Sequence, residues 1–324
     1  MISEYGLSII IPTLGVGGHL PRLLSSIRSQ IVDFPIEVII CDNSLDANIH
    51  SEIESIFRNY KISVRNLVLS SRGVNHARNQ GIFASRFEII LFVDDDCWLE
   101  DDRLLQKHFL IHKNKNMLFA LGGDYILAPG AKFFDRCYHS IQMKWLHAGR
   151  LNKSNNETVY LIGGHFSVKR KIVLENCLSF NEEIAYGGSE LSFFNSAYQM
   201  GLSMNLENLS VIHETKESYV SVTRKLYLQG RGKAILSRHK NYDSGSEQII
   251  SFGNDPSVHF LSVWMENFLA LVFWFGFYEK NKNIFGFLKY LFRNAVICFS
   301  GFKNRIIKQS NLEIQKKADR GDLL

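Results

Sequence analysis

The sequence predicts an α/β protein: a mostly parallel central sheet flanked by helices, followed by a helical C-terminal extension. Short apolar runs rich in β-branched residues recur without alternation, as strands buried on both faces do. Helical-period segments separate these runs at a repeat of roughly 25–30 residues, the spacing of right-handed βαβ units. Beyond about residue 220 the strand patterns stop and helical ones continue.

Residues 7–11, LSIII, form the first expected strand, which stops at Pro12 and Thr13. A turn with Gly15, Gly17 and Gly18 then feeds a helical pattern over 20–30. The second strand, EVIICD, ends at Asp42 with the turn residues Asn43 and Ser44. Residues 49–60 are helix-like, 63–70 (SVRNLVLS) form a third strand, and 73–85 (GVNHARNQGIFAS) carry helical spacing up to a fourth strand, EIILFV. Further strands are expected in FALGGDYIL, VYLIGGHFSVKR and LSMNLENLSVIHE. Between the last two, a Gly187-Gly188 turn leads into a helix starting near Ser189. The extension holds a basic helix over 224–240, an apolar stretch over 260–278 and a basic, aromatic tail. The division expected is therefore 1–220 for the α/β unit and 221–324 for the helical region.

A hydrophobic fraction of 46% with 21% charged residues describes a folded chain and excludes a disordered one. The five cysteines are scattered without metal-type spacing, and the first residues lack the basic stretch of a signal peptide. A reduced, cytoplasmic chain is expected, with each cysteine a small buried hydrophobe. The net charge of +5 is modest, but seven basic residues and no acid lie between Lys280 and Lys308. That field suits anionic lipid head groups or another polyanion, and a nucleic-acid partner is not expected. The uncharged run over 268–278 is too short for a confident span. The tail therefore reads as membrane-surface attachment, an oligomer interface or plain core helices.

The chemistry concentrates where strands end. In α/β sheets ligands gather beyond the carboxyl ends of the strands, and those ends here are Pro12-Thr13, Asp42-Asn43 and the triplet Asp94, Asp95 and Asp96. On a strand end, residues two apart point the same way, so Asp94 and Asp96 are expected to share a partner and Asp95 to point elsewhere. Carboxylates with substrate phosphates are the usual setting for Mg2+. A solvated acidic turn is the plain alternative.

Five segments in order, LSIIIPT, EVIICDNS, GVNHARNQGI, LFVDDDCWLEDD and YGGSELSFF, resemble the inverting glycosyltransferases of family 2, which have the GT-A fold. The resemblance covers residues 5–230. It implies transfer of a sugar from a nucleotide-diphosphate donor, a UDP-sugar favoured, to a hydroxyl acceptor on a glycan, a lipid-linked glycan or another cell-surface precursor. It places Pro12, Thr13 and Asp42 beside the base or ribose, although the glycine usual after the second strand is missing from Asp42-Asn43-Ser44-Leu45-Asp46. Asp42 as a helix N-cap is the alternative. Arg78 and Asn79 are implied to face the nucleotide, with Arg72 a weaker candidate, and Asp95 to make a donor contact. Arg78 as a mere partner of the acids is compatible with that.

The implied cofactor is Mn2+ or Mg2+, held by Asp94 and Asp96, with His213 where many relatives place a third ligand. The implied base is Glu190. Relatives carry Glu-Asp after the glycines, whereas this chain has Ser189-Glu190, so the base position holds Glu and the preceding acid is Ser. A first-turn acid favoured by the helix dipole is the alternative. Asp124 is a candidate for donor-sugar hydroxyls, Trp145 for stacking on an acceptor sugar and Arg231, in YLQGRGKA, for a phosphate. Two other classes stay open: a non-catalytic nucleotide-sugar-binding protein, and a phosphotransferase. The latter is disfavoured because the triplet follows the fourth strand and Trp98 stands four residues beyond Asp94.

Overall fold

A computed structural model describes residues 4–15, 19–44, 51, 63–152, 156–184, 189–237, 260–289 and 291. The expected helix over 49–60 (except Ser51), Gly187 and Gly188, and the tail beyond 291 lie outside the described residues. The chain opens with β1 (Glu4–Thr13), α1 (Leu20–Arg28), β2 (Ile36–Asp42) and β3 (Ser63–Val68). Pro21 sits in the first turn of α1, where its missing N–H is not needed, and Leu20, Leu23, Leu24 and Ile27 make one buried stripe. Next come α2 (Val74–Ala84), β4 (Phe87–Val93), β5 (Cys97–Trp98), α3 (Leu104–Asn114), β6 (Leu118–Gly122), β7 (Tyr125–Leu127) and α4 (Phe133–Ala148). Three short strands follow, β8 (Arg150–Asn152), β9 (Glu157–Thr158) and β10 (His165–Lys169), then α5 (Arg170–Glu175) and α6 (Ser189–Gln199). β11 (Ser203–Leu206), β12 (Val211–His213), α7 (Tyr219–Leu236) and α8 (Phe260–Lys280) end the described elements.

Among the described residues nine strands form one sheet, ordered β3-β2-β1-β4-β10-β6-β11-β9-β8, and β5, β12 and β7 form a second. β3, β2, β1 and β4 run parallel, as the βαβ spacing predicts. β10 inserts antiparallel between β4 and β6, and β11 is parallel to β6. Ile9, Ile10 and Ile11 are wholly buried, which explains why β1 reads as a continuous apolar run.

Two expected strands are each split. FALGGDYIL divides into β6 and β7, and LSMNLENLSVIHE into β11 and β12, so both segments leave the large sheet for the small one. They leave together: the Glu207 N–H donates to the Gly122 carbonyl at 2.9 Å, and the Val211 N–H to the Asp124 carbonyl at 3.3 Å. The Leu209 carbonyl oxygen lies 1.3 Å from where a Cβ on Gly123 would stand, so the crossing requires glycine. By this switch β12 carries His213 across to β5, opposite Cys97.

A second feature of the core positions the other end of the site. Phe193 and Phe194 of α6 are fully buried, and Phe193 stacks on Phe180 with ring centroids 4.4 Å apart. Glu190 lies three and four residues before these anchors, on the same helix face, so the rings fix where its carboxylate goes. A smaller core joins Cys137, Tyr138 and Ile141 of α4 to Val222 and Leu226 of α7 and Leu269, Phe273 and Trp274 of α8. Trp145, the candidate for sugar stacking, packs against this core with its ring 5.8 Å from that of Phe273. No helix among the described residues is long and apolar enough to cross a membrane.

Behind β10, His108 Nδ1 and His112 Nε2 each lie 2.8 Å from the Ser167 hydroxyl, and His108 Nε2 lies 3.0 Å from His165 Nε2. Burial holds His112 and His165 down at about 3 and His108 well below its ordinary value. The unfolded chain protonates these rings below about pH 6.5, while the folded chain refuses the protons. Their contribution to stability is therefore complete above that pH and is lost as pH falls toward 3. His112→Gln removes one such group, so its loss of unfolding free energy from pH 6.5 to 5.5 is expected to be smaller than the native chain's by about 1 kcal/mol. Urea unfolding of both chains at the two pH values measures this; equal losses would refute it. Asp94 and Asp95, which burial raises, act in the opposite sense in both chains and cancel.

Candidate active site

The ends of β1, β2 and β4 meet on one rim. Thr13 stands in register with Asp42, the Asn43 N–H donates to the Thr13 carbonyl at 2.8 Å, and the Thr13 hydroxyl donates to Asp95. β4 ends at Val93, and the chain then turns, with the Cys97 N–H donating to the Asp94 carbonyl at 3.1 Å. Strand alternation thus stops before the triplet, and Asp94 and Asp96 meet different hydrogen-bond partners although the His213 imidazole acts on both. Arg78 donates to Asp94 Oδ1 at 3.0 Å, while Asp96 Oδ2 lies 3.3 Å from His213 Nε2. The three carboxylates fan out to three partners.

At one end of the site stand Asp96, Cys97 and His213. The Glu214 N–H donates to the Asp96 carbonyl at 2.9 Å, and the Glu214 carboxylate meets His19 and Arg22 at the start of α1, both at 3.1 Å. These contacts hold His213 against the triplet. Burial works to raise Asp96, but His213, with Lys225 and His19 behind it, outweighs it and keeps the carboxyl below its ordinary range. Burial pushes Asp95 up to about 7, against the Thr13 hydrogen bond, and drives the Cys97 thiol well upward. A divalent cation fits here on the chemistry of the donors: a hard carboxylate faces an imidazole nitrogen, and a cation's charge would offset the crowded acids. His213 Nδ1 is buried with no hydrogen-bond partner among the described residues, and the ring is held by Asp96 at Nε2 and by the Tyr125 ring, whose centroid lies 4.2 Å away.

At the other end stands Glu190. Its Oε1 accepts from the buried Tyr160 hydroxyl at 2.7 Å. Its carboxyl carbon lies 3.1 Å, and an Arg78 guanidinium nitrogen 3.2 Å, from where a Cβ on Gly163 would stand. Arg78 is almost fully buried and also donates to the Gly163 carbonyl at 2.9 Å. A Cβ on Gly164 would meet the Tyr125 hydroxyl at 2.2 Å and Asp94 Oδ2 at 2.6 Å. The glycine pair therefore lets Glu190, Arg78, Asp94 and Tyr125 converge on one stretch of backbone.

The remaining candidates divide. Pro12 lies within β1, and Asp42 is wholly buried with its Oδ1 accepting from the Ser44 N–H at 2.8 Å, a turn rather than a helix cap. Arg72 donates to the Ser44 carbonyl at 3.2 Å. Asn79 differs from expectation: its amide donates to the Phe180 carbonyl at 3.0 Å and Glu182 at 2.7 Å, and its oxygen accepts from the Phe180 N–H at 2.9 Å. It clamps the segment at Phe180 and Glu182 against α2. Asp124 pairs with His147 at 3.5 Å, a contact that holds its carboxyl below the ordinary range. Arg231 donates to the Tyr227 hydroxyl at 3.0 Å and lies 3.6 Å from Glu279, contacts within the C-terminal helices. Tyr125 and Tyr160 escape sequence reading because neither belongs to a charged motif; Cys97 stands inside LFVDDDCWLEDD but reads there as a small buried hydrophobe until the fold sets His213 opposite it.

A parallel half-sheet with an acidic rim, an antiparallel β10 and a small second sheet carrying His213 define a GT-A glycosyltransferase fold. The glycosyl transferase family 2 model matches residues 8–176, just over half of the chain, and the chain belongs to that family. The Bacillus subtilis (strain 168) protein named "Uncharacterized glycosyltransferase YfnE" is 30% identical over 115 residues, which are 36% of this chain and 29% of that one. The matched segment thus spans under a third of that relative's length. The mannosyltransferase PcManGT from Pyrobaculum calidifontis, solved with GDP-Man and Mn2+, superposes with a TM-score of 0.55 at 13% identity, covering 92% of this chain and 84% of that one. S. aureus TarS 1-349 in complex with UDP-GlcNAc gives 0.51 at 18%, covering 75% and 69%. At these identities the likeness establishes the fold.

Proposed function

We propose that the protein is a metal-dependent inverting glycosyltransferase that moves a sugar from a nucleoside-diphosphate donor to a hydroxyl of a glycan, a lipid-linked glycan or another cell-surface precursor. One observation carries the reading: Glu190 at one end of the site and the Asp96–His213 pair at the other are joined through Arg78 and Asp94. Pro12, Thr13, Asp42 and Asp95 take the nucleoside, Arg78 the diphosphate and Asp124 the donor sugar. Arg231 reaches a phosphate only by leaving Glu279. Asp96 and His213, with Asp94 beside them, hold Mn2+ or Mg2+, which when bound neutralises charge on the diphosphate. Glu190 accepts the acceptor's hydroxyl proton as the oxygen bonds to the anomeric carbon; the bond to the diphosphate breaks on the opposite face and its electron pair departs with the nucleotide. Tyr160 orients the carboxylate.

A UDP-sugar is the favoured donor; TarS, a structural neighbour, was solved with UDP-GlcNAc, and PcManGT with GDP-Man. Incubation with a panel of UDP- and GDP-sugars and Mn2+ is expected to release nucleoside diphosphate. Binding without turnover of any donor would instead favour a nucleotide-sugar-binding protein.

Residues 1–220 act in this reading as the catalytic unit, and 221–324 attach it to the cytoplasmic face of a membrane. Phe268, Phe275, Ile284, Phe285 and Leu288 are exposed in the company of Lys280, Lys282 and Lys289. The full chain is expected to sediment with anionic vesicles, and a chain ending at Lys280, which keeps α7 and α8 whole, to stay in solution. Equal partition, or self-association in place of vesicle binding, would overturn the assignment.

A further inference from the structure

We propose that the Cys97 thiol is a third protein donor at the cation site, so that Asp96, Cys97 and His213 together take a borderline transition-metal ion, Zn2+ or Co2+, in preference to Mg2+. The proposal rests on the reading of Asp96 and His213 as the metal pair, adds a residue that the reading leaves out and puts a softer ion in place of its Mn2+ or Mg2+.

β5 and β12 pair antiparallel with Cys97 directly opposite His213, so the two side chains share a sheet face. One ligand atom from each of Asp96, Cys97 and His213 lies within 4.8 Å of the other two. Two of the separations are tighter: 3.3 Å from Asp96 Oδ2 to His213 Nε2, and 3.8 Å from Asp96 Oδ1 to Cys97 Sγ. A tetrahedral ion with bonds of about 2.0–2.3 Å spaces its ligands about 3.3–3.7 Å apart, so small side-chain rotations close the set. Among the described residues no other trio of His, Cys, Asp or Glu is gathered this closely.

Burial gives the cluster a direction. Cys97 and His213 are 1% and 6% exposed, while the Asp96 side chain keeps 34% of its surface. The opening is on the Asp96 side, where a water or a diphosphate oxygen completes the coordination. Mg2+ asks for oxygen ligands in near-octahedral order, whereas a thiolate and an imidazole favour Zn2+ and Co2+. As the sulfur–metal bond forms, the thiol proton leaves by way of Asp96 Oδ1, to which the thiol donates at 3.8 Å, and the ion's charge has to offset the burial that otherwise keeps the thiol protonated.

The test uses the full chain and the metal alone. Titration with Co2+ should raise a thiolate-to-cobalt charge-transfer absorption in the near ultraviolet that saturates at one ion per chain. Excess Zn2+ should erase it and a 100-fold excess of Mg2+ should leave it in place, on the order of the selectivity that donor softness sets. In Cys97→Ser the band should vanish while the visible cobalt bands persist; Cys97→Ala serves where the serine variant does not fold. Zinc-edge X-ray absorption on the native chain should show one sulfur at about 2.3 Å. A purely oxygen and nitrogen shell, or a sulfur signal that survives in both variants, would overturn the proposal. So would an absence of Co2+ binding, which also removes the metal pair. No readout needs turnover, so a shell without sulfur leaves the glycosyltransferase reading standing, and an inactive chain leaves the spectroscopy standing.

Discussion

Replacing Asp96 by Ala is expected to abolish the dependence of donor binding on divalent cation. Asp96 is the acid of the triplet that pairs directly with His213, and its two neighbours are committed to other hydrogen bonds. Asp94 is held by Arg78, which is itself buried and bonded to the Gly163 carbonyl. Asp95 is held by the Thr13 hydroxyl on β1. Either acid would have to give up a partner inside the rim to swing toward the imidazole. Donor affinity in Mn2+ should therefore fall by about 100-fold or more, the scale on which metal-site ligands and their partners act. It should fall to the level measured with chelator. Binding of the nucleoside alone should change little, because Thr13 and Asp42 are untouched. Titration calorimetry with a nucleoside diphosphate, with Mn2+ and with chelator, separates the two. An unchanged response to Mn2+ in Asp96→Ala would remove this residue from the metal site.

What the sequence reveals and what it hides follow from the range of the interactions. The parallel half of the sheet is readable because its strands are buried on both faces, and burial leaves a continuous apolar signature in LSIII, EVIICD and EIILFV. The rim follows from the same runs, since strand ends are local features; so does the start of α6 at Ser189. The sheet switch at Gly123 is different. A glycine pair inside an apolar run states that something approaches, but the object that approaches is Leu209, whose distance along the chain conceals it. Local alternation assumes an extended backbone, and the chain is already turning at Asp94, so it does not by itself supply the hydrogen-bond partners of the triplet. Asn79 shows the same limit, because its position beside Arg78 suggests a ligand while its amide meets Phe180 and Glu182, about a hundred residues later. Tyr160 had no sequence signal at all, and its hydroxyl matters only because α6 brings a carboxylate to it.

The replacement of Glu190 by Gln is expected to leave donor binding intact and to remove transfer. The two side chains have the same shape, and an amide oxygen still accepts from the Tyr160 hydroxyl that now meets Oε1 at 2.7 Å. α6 keeps its anchors, because Phe193 and Phe194 lie in the core and not at the site. What the variant loses is the capacity to take a proton, and general-base catalysis of this kind is worth about 10²–10⁴-fold in rate. The expected signature is thus a fall in kcat of that order with an unchanged Kd for the donor, read from single-turnover transfer and from calorimetry on the same preparation. Glu190→Asp is the informative companion. Its carboxylate withdraws by one methylene from the Tyr160 hydroxyl and from the Gly163 backbone, whose position the crossing of Arg78 and Asp94 fixes. A base that acts through its geometry should lose rate in Asp as well, by less than in Gln. A carboxylate that serves only as a first-turn acid of α6 would tolerate Asp fully and Gln nearly so. Retained transfer in Glu190→Gln would move the base elsewhere, and retention in both variants would return Glu190 to the helix dipole alone.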